Sequence, residues 1–143
     1  MELLARAARD GVPPDIDALI AAVPYCAWLG LSARIDVERV VLEMPFDTKL
    51  IGNPIIPALH GGVIGSLLET AALVQSIYAT GSASIPKPVD ITIDYLRTGR
   101  AVTSFASARL ARQGRRVVNV HAQMWQEDEM KPIAALRGHF LLA

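Results

Sequence analysis

Between His60 and Ala79 the chain carries one formally charged residue, Glu69. No Lys or Arg lies one helical turn away to pair with it. A buried, unpaired carboxylate costs roughly several kcal/mol, so Glu69 needs a polar cleft, a partner from elsewhere, or an exposed helix edge. Nine positions earlier stands His60, followed by Gly61 and Gly62. Two glycines weaken a helix start by about 1 kcal/mol each against Ala. They leave bare backbone N–H groups with the positive end of the helix dipole behind them, which suits a developing oxyanion. They would equally let a strand pass close by.

Helical spacing constrains how these groups can cooperate. His60 and Glu69 lie half a turn out of phase and about 13 Å apart along a helix axis, and Gly61 is about 12 Å from Glu69. One chain therefore cannot bring the helix N-terminus and the carboxylate to the same carbonyl. Two antiparallel copies can, which makes the expected site a shared one, occurring twice per dimer.

Other nucleophiles fit less well. Ser66 follows Gly65, but no Gly-x-Ser-x-Gly elbow occurs in the chain. Cys26, between Tyr25 and Ala27-Trp28-Leu29, reads as a small core residue. His121 and His139 fall singly in strands without ligand spacing, so no metal site is expected.

The elements around these residues follow from pattern. Asp15, after Pro13-Pro14, precedes Ile16, Leu19, Ile20 and Val23, a capped amphipathic helix closed by Pro24. Strands are expected over residues 29–37 and 39–45, with a turn at 37–39. A proline-stiffened loop follows over 48–59. Residues 60–80 form the longest helical candidate. Its apolar residues, Val63, Ile64, Leu67, Leu68, Ala71, Ala72 and Val74, cover nearly its whole circumference, so it should be buried on most sides. Beyond a loop through Gly81, Pro86 and Pro88, Val89, Ile91, Ile93 and Tyr95 alternate with Asp90, Thr92 and Asp94. Strands over 102–112 and 115–126 are joined by Gln113-Gly114 as a two-residue turn. After a turn over 127–132, a last strand runs over 133–142. The expected fold is α+β: an antiparallel sheet curled round one apolar helix, in a single domain over residues 1–143, with open edges that favour a dimer.

Composition limits the function classes. With 143 residues, 52% hydrophobic and 20% charged, the chain can bury one core. Fourteen basic residues balance fourteen acidic ones and aromatics make up 6%, so neither nucleic acid nor an anionic membrane is an expected partner. The N-terminus lacks the apolar core of a signal peptide, and the apolar stretch 63–79 is interrupted by Glu69, Gln75 and Ser76. The expected location is cytoplasmic.

Taken together, Gly52-Asn53-Pro54, Leu59-His60-Gly61-Gly62, Glu69, the run Asp90-Ile91-Thr92-Ile93-Asp94-Tyr95-Leu96-Arg97 and Gly114-Arg115-Arg116 resemble the PaaI-like branch of hotdog-fold thioesterases. The similarity spans residues 24–140 in order. The resemblance implies hydrolysis of acyl-CoA, aryl-acyl-CoA included, without metal or organic cofactor, in homodimers that pair into homotetramers. It gives Glu69 the part of general base or nucleophile and Gly61 that of the N–H donor to the thioester carbonyl. His60 and Asn53 would shape that end of the site, with Gly62, Asp90 and Thr92 as substrate-side positions. Two departures stand out: Glu69 where many relatives have Asp, and Pro88 where a Ser or Thr often places the water.

Arg109, Arg112, Arg115 and Arg116 cluster in sequence round one hairpin, with Arg97 and Arg100 on the preceding strand and its exit. Guanidinium groups suit the phosphates of coenzyme A, though a solvated hairpin tip would look the same. The resemblance favours Arg115 and Arg116, then Arg112, as CoA contacts. Two other readings compete with hydrolysis: a hotdog hydratase or dehydratase pairing His60 with Glu69, and a non-catalytic acyl-CoA binder.

Overall fold

A computed structural model describes residues 1–142. Its first helix, α1 (Glu2–Asp10), buries Leu4 against Leu19 and Ile77. The Asp15 carboxylate accepts the Ala18 N–H at 3.0 Å and so caps α2 (Ile16–Ala22), as its place before the apolar run predicts. Pro24 ends α2 and opens α3 (Pro24–Leu29), standing in a first turn where its missing N–H costs no hydrogen bond. Gly30, at φ 72°, closes α3. The strand expected from residue 29 therefore begins only at Ser32: a helix start and a left-handed stop bracket six residues too few to show a helical period.

β1 (Ser32–Asp36) and β2 (Arg39–Met44) form a hairpin, with Asp36 opposite Arg39. Val37 lies in its two-residue turn at φ 60°, 90% exposed. The buried Gln75 side chain holds this turn from below: Oε1 accepts the Val40 N–H at 2.8 Å and Nε2 donates to the Glu38 carbonyl at 3.2 Å. The segment expected as plain loop contains a 3-10 turn (Thr48–Leu50) and two short strands, β3 (Ile51–Asn53) and β4 (Ala58–Leu59), paired antiparallel.

α4 (Gly61–Thr80) is the long helix, ended by Gly81 at φ 65°. It is apolar and long enough to cross a membrane by composition, but it lies in the core, with Leu67, Leu68, Ala71 and Ala72 at 0% exposure. Around it the sheet runs β1-β2-β6-β7-β8-β5, every neighbouring pair antiparallel. Its last strands are β5 (Lys87–Tyr95), β6 (Ser104–Gln113), β7 (Val117–Trp125) and β8 (Ala134–Leu141). Leu42 and Met44, Ala106 and Ala108, Val118, Val120, Ala122 and Met124, and Leu136 and Phe140 are buried in one core cluster with α4. The small Ala106 and Ala108 let the helix approach β6. This is the α+β hotdog arrangement that the resemblance implies.

Two details differ from pattern. The β6–β7 connection is Gly114–Arg116 rather than Gln113-Gly114, so Arg115 and Arg116 sit in the loop itself. The alternation expected from Val89 starts two residues later, because a bulge between Pro88 and Asp90 turns Val89 outward, 63% exposed.

Candidate active site

His60 is the N-cap of α4, and its Nδ1 accepts the Gly62 N–H at 2.9 Å. That bond makes Nδ1 the acceptor and places the proton of a neutral ring on Nε2. The next amides of the first turn, on Val63 and Ile64, donate to the His60 carbonyl. The Gly61 N–H donates to no group among the described residues. Of the two bare donors expected from the glycine pair, one is satisfied by the imidazole and one is spare, at the positive end of a 20-residue helix.

Gly52 lets the β3–β4 hairpin deliver His60 to this position. A Cβ on Gly52 would lie 2.6 Å from the His60 Cα and 2.8 Å from its Cβ, closer than any side chain tolerates. The His60 N–H donates to the Leu50 carbonyl at 2.9 Å, which fixes the backbone on the other side. Asn53 is exposed, and its Oδ1 accepts the Ile55 N–H at 3.0 Å. This Asx turn holds its carboxamide at the start of the loop that joins β3 to β4.

Glu69 lies two turns along α4, half-buried, with no hydrogen bond or ion pair among the described residues. It belongs to the stripe of α4 that the sheet leaves partly open, with Gly62, Gly65, Ser66 and Leu73. Eight residues of unbroken helix keep it about 12 Å from Gly61, so within one chain the two stay apart.

Tyr95 connects the edge strand to the helix terminus, a role that its place in an alternating strand does not reveal. Its hydroxyl donates to the Gly61 carbonyl at 2.9 Å. Farther along β5, Ile93 Cδ1 would sit 3.0 Å from a Cβ on Gly65, so the missing side chain there sets how closely strand and helix pack. β5 thus lies along the first two turns of α4 and runs antiparallel to it. The other long edge of β5 is unpaired among the described residues.

Asp90 and Thr92 face away from α4, on the side of β5 opposite Ile91 and Ile93. The Asp90 carboxylate meets His139 Nδ1 at 3.0 and 3.1 Å, and His139 Nε2 lies 2.9 Å from Asn119 Nδ2. This row of side chains crosses β5, β8 and β7. It borders a cavity of about 520 Å³ at the hairpin that also takes in Arg112, Arg115 and Arg116. Arg97 and Arg100 are not part of that cluster. β5 pairs with β8 so that Lys87, not Tyr95, is level with the hairpin, and both arginines lie at the opposite end of the sheet. There Arg97 donates to the Pro132 carbonyl and Arg100 pairs with Glu127 at 2.8 Å. Arg109, in mid-strand, bonds His121 at 3.2 Å.

Cys26 lies on the buried face of α3, and burial raises its thiol above the ordinary value, with a hydrogen bond to Thr70 pulling the other way. Such a thiol stays protonated and unreactive at neutral pH. A cavity of about 640 Å³ between α1 and the C-terminal end of α4 holds none of the candidate groups.

A family model described as the thioesterase superfamily matches residues 57–133, more than half of the chain. A medium/long-chain acyl-CoA thioesterase of Salmonella typhimurium is 28% identical, over 76% of this chain and 79% of its own. A solved structure from Chromobacterium violaceum is 36% identical, covers all of this chain and 98% of that one, and superposes with a TM-score of 0.77. The Escherichia coli PaaI protein of the phenylacetic acid degradation operon shares the fold, with a TM-score of 0.78 at 22% identity over 98% of this chain and 96% of that one.

Proposed function

The chain belongs to the thioesterase superfamily, and from that premise we propose that it hydrolyses acyl-CoA to the free acid and CoA at sites shared between two subunits. It is a thioester hydrolase; what is proposed is the division of labour among its residues. The observation that carries it is the spare Gly61 N–H at the first turn of α4, together with a carboxylate, Glu69, that is unpaired among the described residues and too far along the same helix to serve it.

Two copies meeting antiparallel along the free edge of β5 resolve this separation. Because α4 runs against β5, Gly61 is level with Tyr95, and Glu69, about 12 Å further, is level with a residue near Ile91. Pairing centred near Ile93 then sets each Glu69 level with the other subunit's Gly61. It also carries each hairpin, with Arg112, Arg115 and Arg116, towards the partner's helix terminus, where the phosphates of CoA would extend. The resemblance extends this to a homotetramer built from two such dimers.

In the reaction, the thioester oxygen accepts the Gly61 N–H. Glu69 of the facing subunit takes a proton from water and later passes it to the departing sulfur or to solvent, or attacks the carbonyl carbon directly to give a mixed anhydride that water then hydrolyses. With water, the hydroxyl oxygen bonds to that carbon and the oxyanion forms against the helix terminus. Collapse breaks the C–S bond and releases the CoA thiolate, which needs no strong general acid. His60 holds the loop and helix in register and presents its Nε2–H at the same end. No step calls for a metal or an organic cofactor.

Thiol release from saturated acyl-CoA substrates, followed with a thiol reagent, tests this reading. The wild type should turn over, and a folded Glu69→Gln protein should lose about 10²- to 10⁴-fold in kcat. Full activity in Glu69→Gln removes the assignment. Hydration of an enoyl-CoA without thiol release from any saturated one would make the protein a hydratase instead.

A further inference from the structure

The short helix α3 carries two large aromatic rings that the core does not absorb. Tyr25 is 47% and Trp28 45% exposed, and their rings stack with centroids 5.8 Å apart at 11° between planes. Lys49 Nζ lies 4.6 Å over the Trp28 ring, and no carboxylate pairs with it among the described residues. These side chains wall a cavity of about 490 Å³ with Ile51, Val63 and His60. His60 is the residue immediately before Gly61. The Tyr25 hydroxyl also lies 3.4 Å from Ser66 Oγ, on the open stripe of α4 between Gly62 and Glu69. The cavity therefore adjoins the helix terminus at which a thioester carbonyl would sit.

A thioester bound there has two arms, and the lining discriminates between them. The CoA arm carries two amides and ends in phosphates, which match the guanidinium-rich hairpin. Four of the six cavity residues, Tyr25, Trp28, Ile51 and Val63, offer apolar or aromatic surface, and Lys49 is the single full cation. Such a wall favours the acyl arm. Stacked rings reward a flat π-system over a flexible chain, because a rigid ring adds face or edge contacts at little cost in rotamer entropy.

Resting on the hydrolase reading above, we infer that Tyr25 and Trp28 are specificity-determining residues. They line the pocket for the acyl group and favour flat aromatic acyl groups over straight chains of similar size. Lys49 fixes Trp28 by its cation–π contact rather than by touching the reacting atoms.

The test compares kcat/KM for benzoyl-CoA, octanoyl-CoA and acetyl-CoA in the wild type, Trp28→Ala and Tyr25→Ala. The expected result is that the benzoyl-to-octanoyl ratio falls at least tenfold in Trp28→Ala, with acetyl-CoA losing less than threefold. An equal loss on all three substrates would place the CoA arm in the cavity, and no loss on any would leave it outside the site; either overturns the inference. Binding gives a readout that does not depend on turnover. Of the two tryptophans, Trp28 lines the cavity and the buried Trp125 does not, so a change in emission on ligand binding that Trp28→Phe removes reports on the cavity. In a Glu69→Gln background benzoyl-CoA should shift that emission, CoA alone should not, and Trp28→Phe should abolish the response. If the wild type releases no thiol from any substrate, the hydrolase reading fails while a benzoyl-dependent shift still supports the pocket; absence of the shift sinks the pocket whatever the turnover.

Discussion

The Tyr95 hydroxyl donates a 2.9 Å hydrogen bond to the carbonyl of Gly61, tying the free edge strand to the helix terminus that holds the spare N–H. The residue whose N–H is proposed to meet the substrate is thus held through its C=O. β5 also supplies the edge along which a second copy is proposed to pair, so assembly and oxyanion geometry share one strand.

Tyr95→Phe keeps the ring that packs against Gly61 and removes only this bond. Losing one partly exposed hydrogen bond costs about 1 kcal/mol, a drop of about 3 °C in a chain of this size. The effect on kcat should be larger than the stability loss suggests, about three- to tenfold, with KM little changed, because the donor loses its alignment. Thermal melts with steady-state thiol release check both, and an unchanged kcat would reduce Tyr95 to a packing residue.

Gly61→Pro separates backbone donor from backbone shape. Position 61 is the first residue of α4, where proline fits, and His60, at ψ 132°, has the extended conformation that precedes prolines. A side chain here meets Tyr95 at ordinary contact distance, 3.5 Å and beyond. The variant should fold with unchanged or slightly raised stability. Without the N–H, kcat should fall about 10²- to 10³-fold, the usual cost of one oxyanion donor. A folded Gly61→Pro enzyme at full rate would show that the oxyanion is stabilised elsewhere.

The long helix was legible because its apolar residues run all round it and one carboxylate interrupts them. The half-turn offset between His60 and Glu69 followed from helical phase alone, and it survives in the unbroken α4. What was not legible depends on contacts distant in sequence. Strand order pairs β5 with β8, which sends Arg97 and Arg100 to the far end of the sheet from the hairpin they precede. The 2.6 Å approach of His60 to Gly52 and the Tyr95–Gly61 bond are likewise tertiary. α3 was hidden for a local reason: six residues give no period, and Trp28-Leu29 reads as strand until Pro24 and Gly30 are seen as its two ends.

Val37 supplies a prediction about stability alone. A β-branched residue at φ 60° is strained, and its side chain is 90% exposed, so it gains little packing in return. Gln75 holds the turn in place through Val40 and Glu38. Val37→Gly relieves the strain where glycine adopts positive φ freely, and should raise stability by about 1 kcal/mol with kcat unchanged. Chemical denaturation measures it, and a loss of stability would mean that the entropy glycine adds to the unfolded chain outweighs the strain.

Sharing of the site between subunits has a signature that no single variant gives. On the proposed reading, Glu69→Gln and Gly61→Pro should each disable both sites of their own homodimer. When the two chains are refolded together in equal amounts, half of the dimers are mixed. If each site takes its glycine from one subunit and its glutamate from the other, a mixed dimer has one site with both lesions and one with none. Activity should then return to about a quarter of wild type, given one restored site in half of the dimers. If a single chain supplied both groups, every site in the mixture would carry one lesion and activity would stay at background. A measured rate near a quarter supports the shared site; a rate at background sinks it, and with it the pairing along β5 that was drawn to bring Glu69 to Gly61.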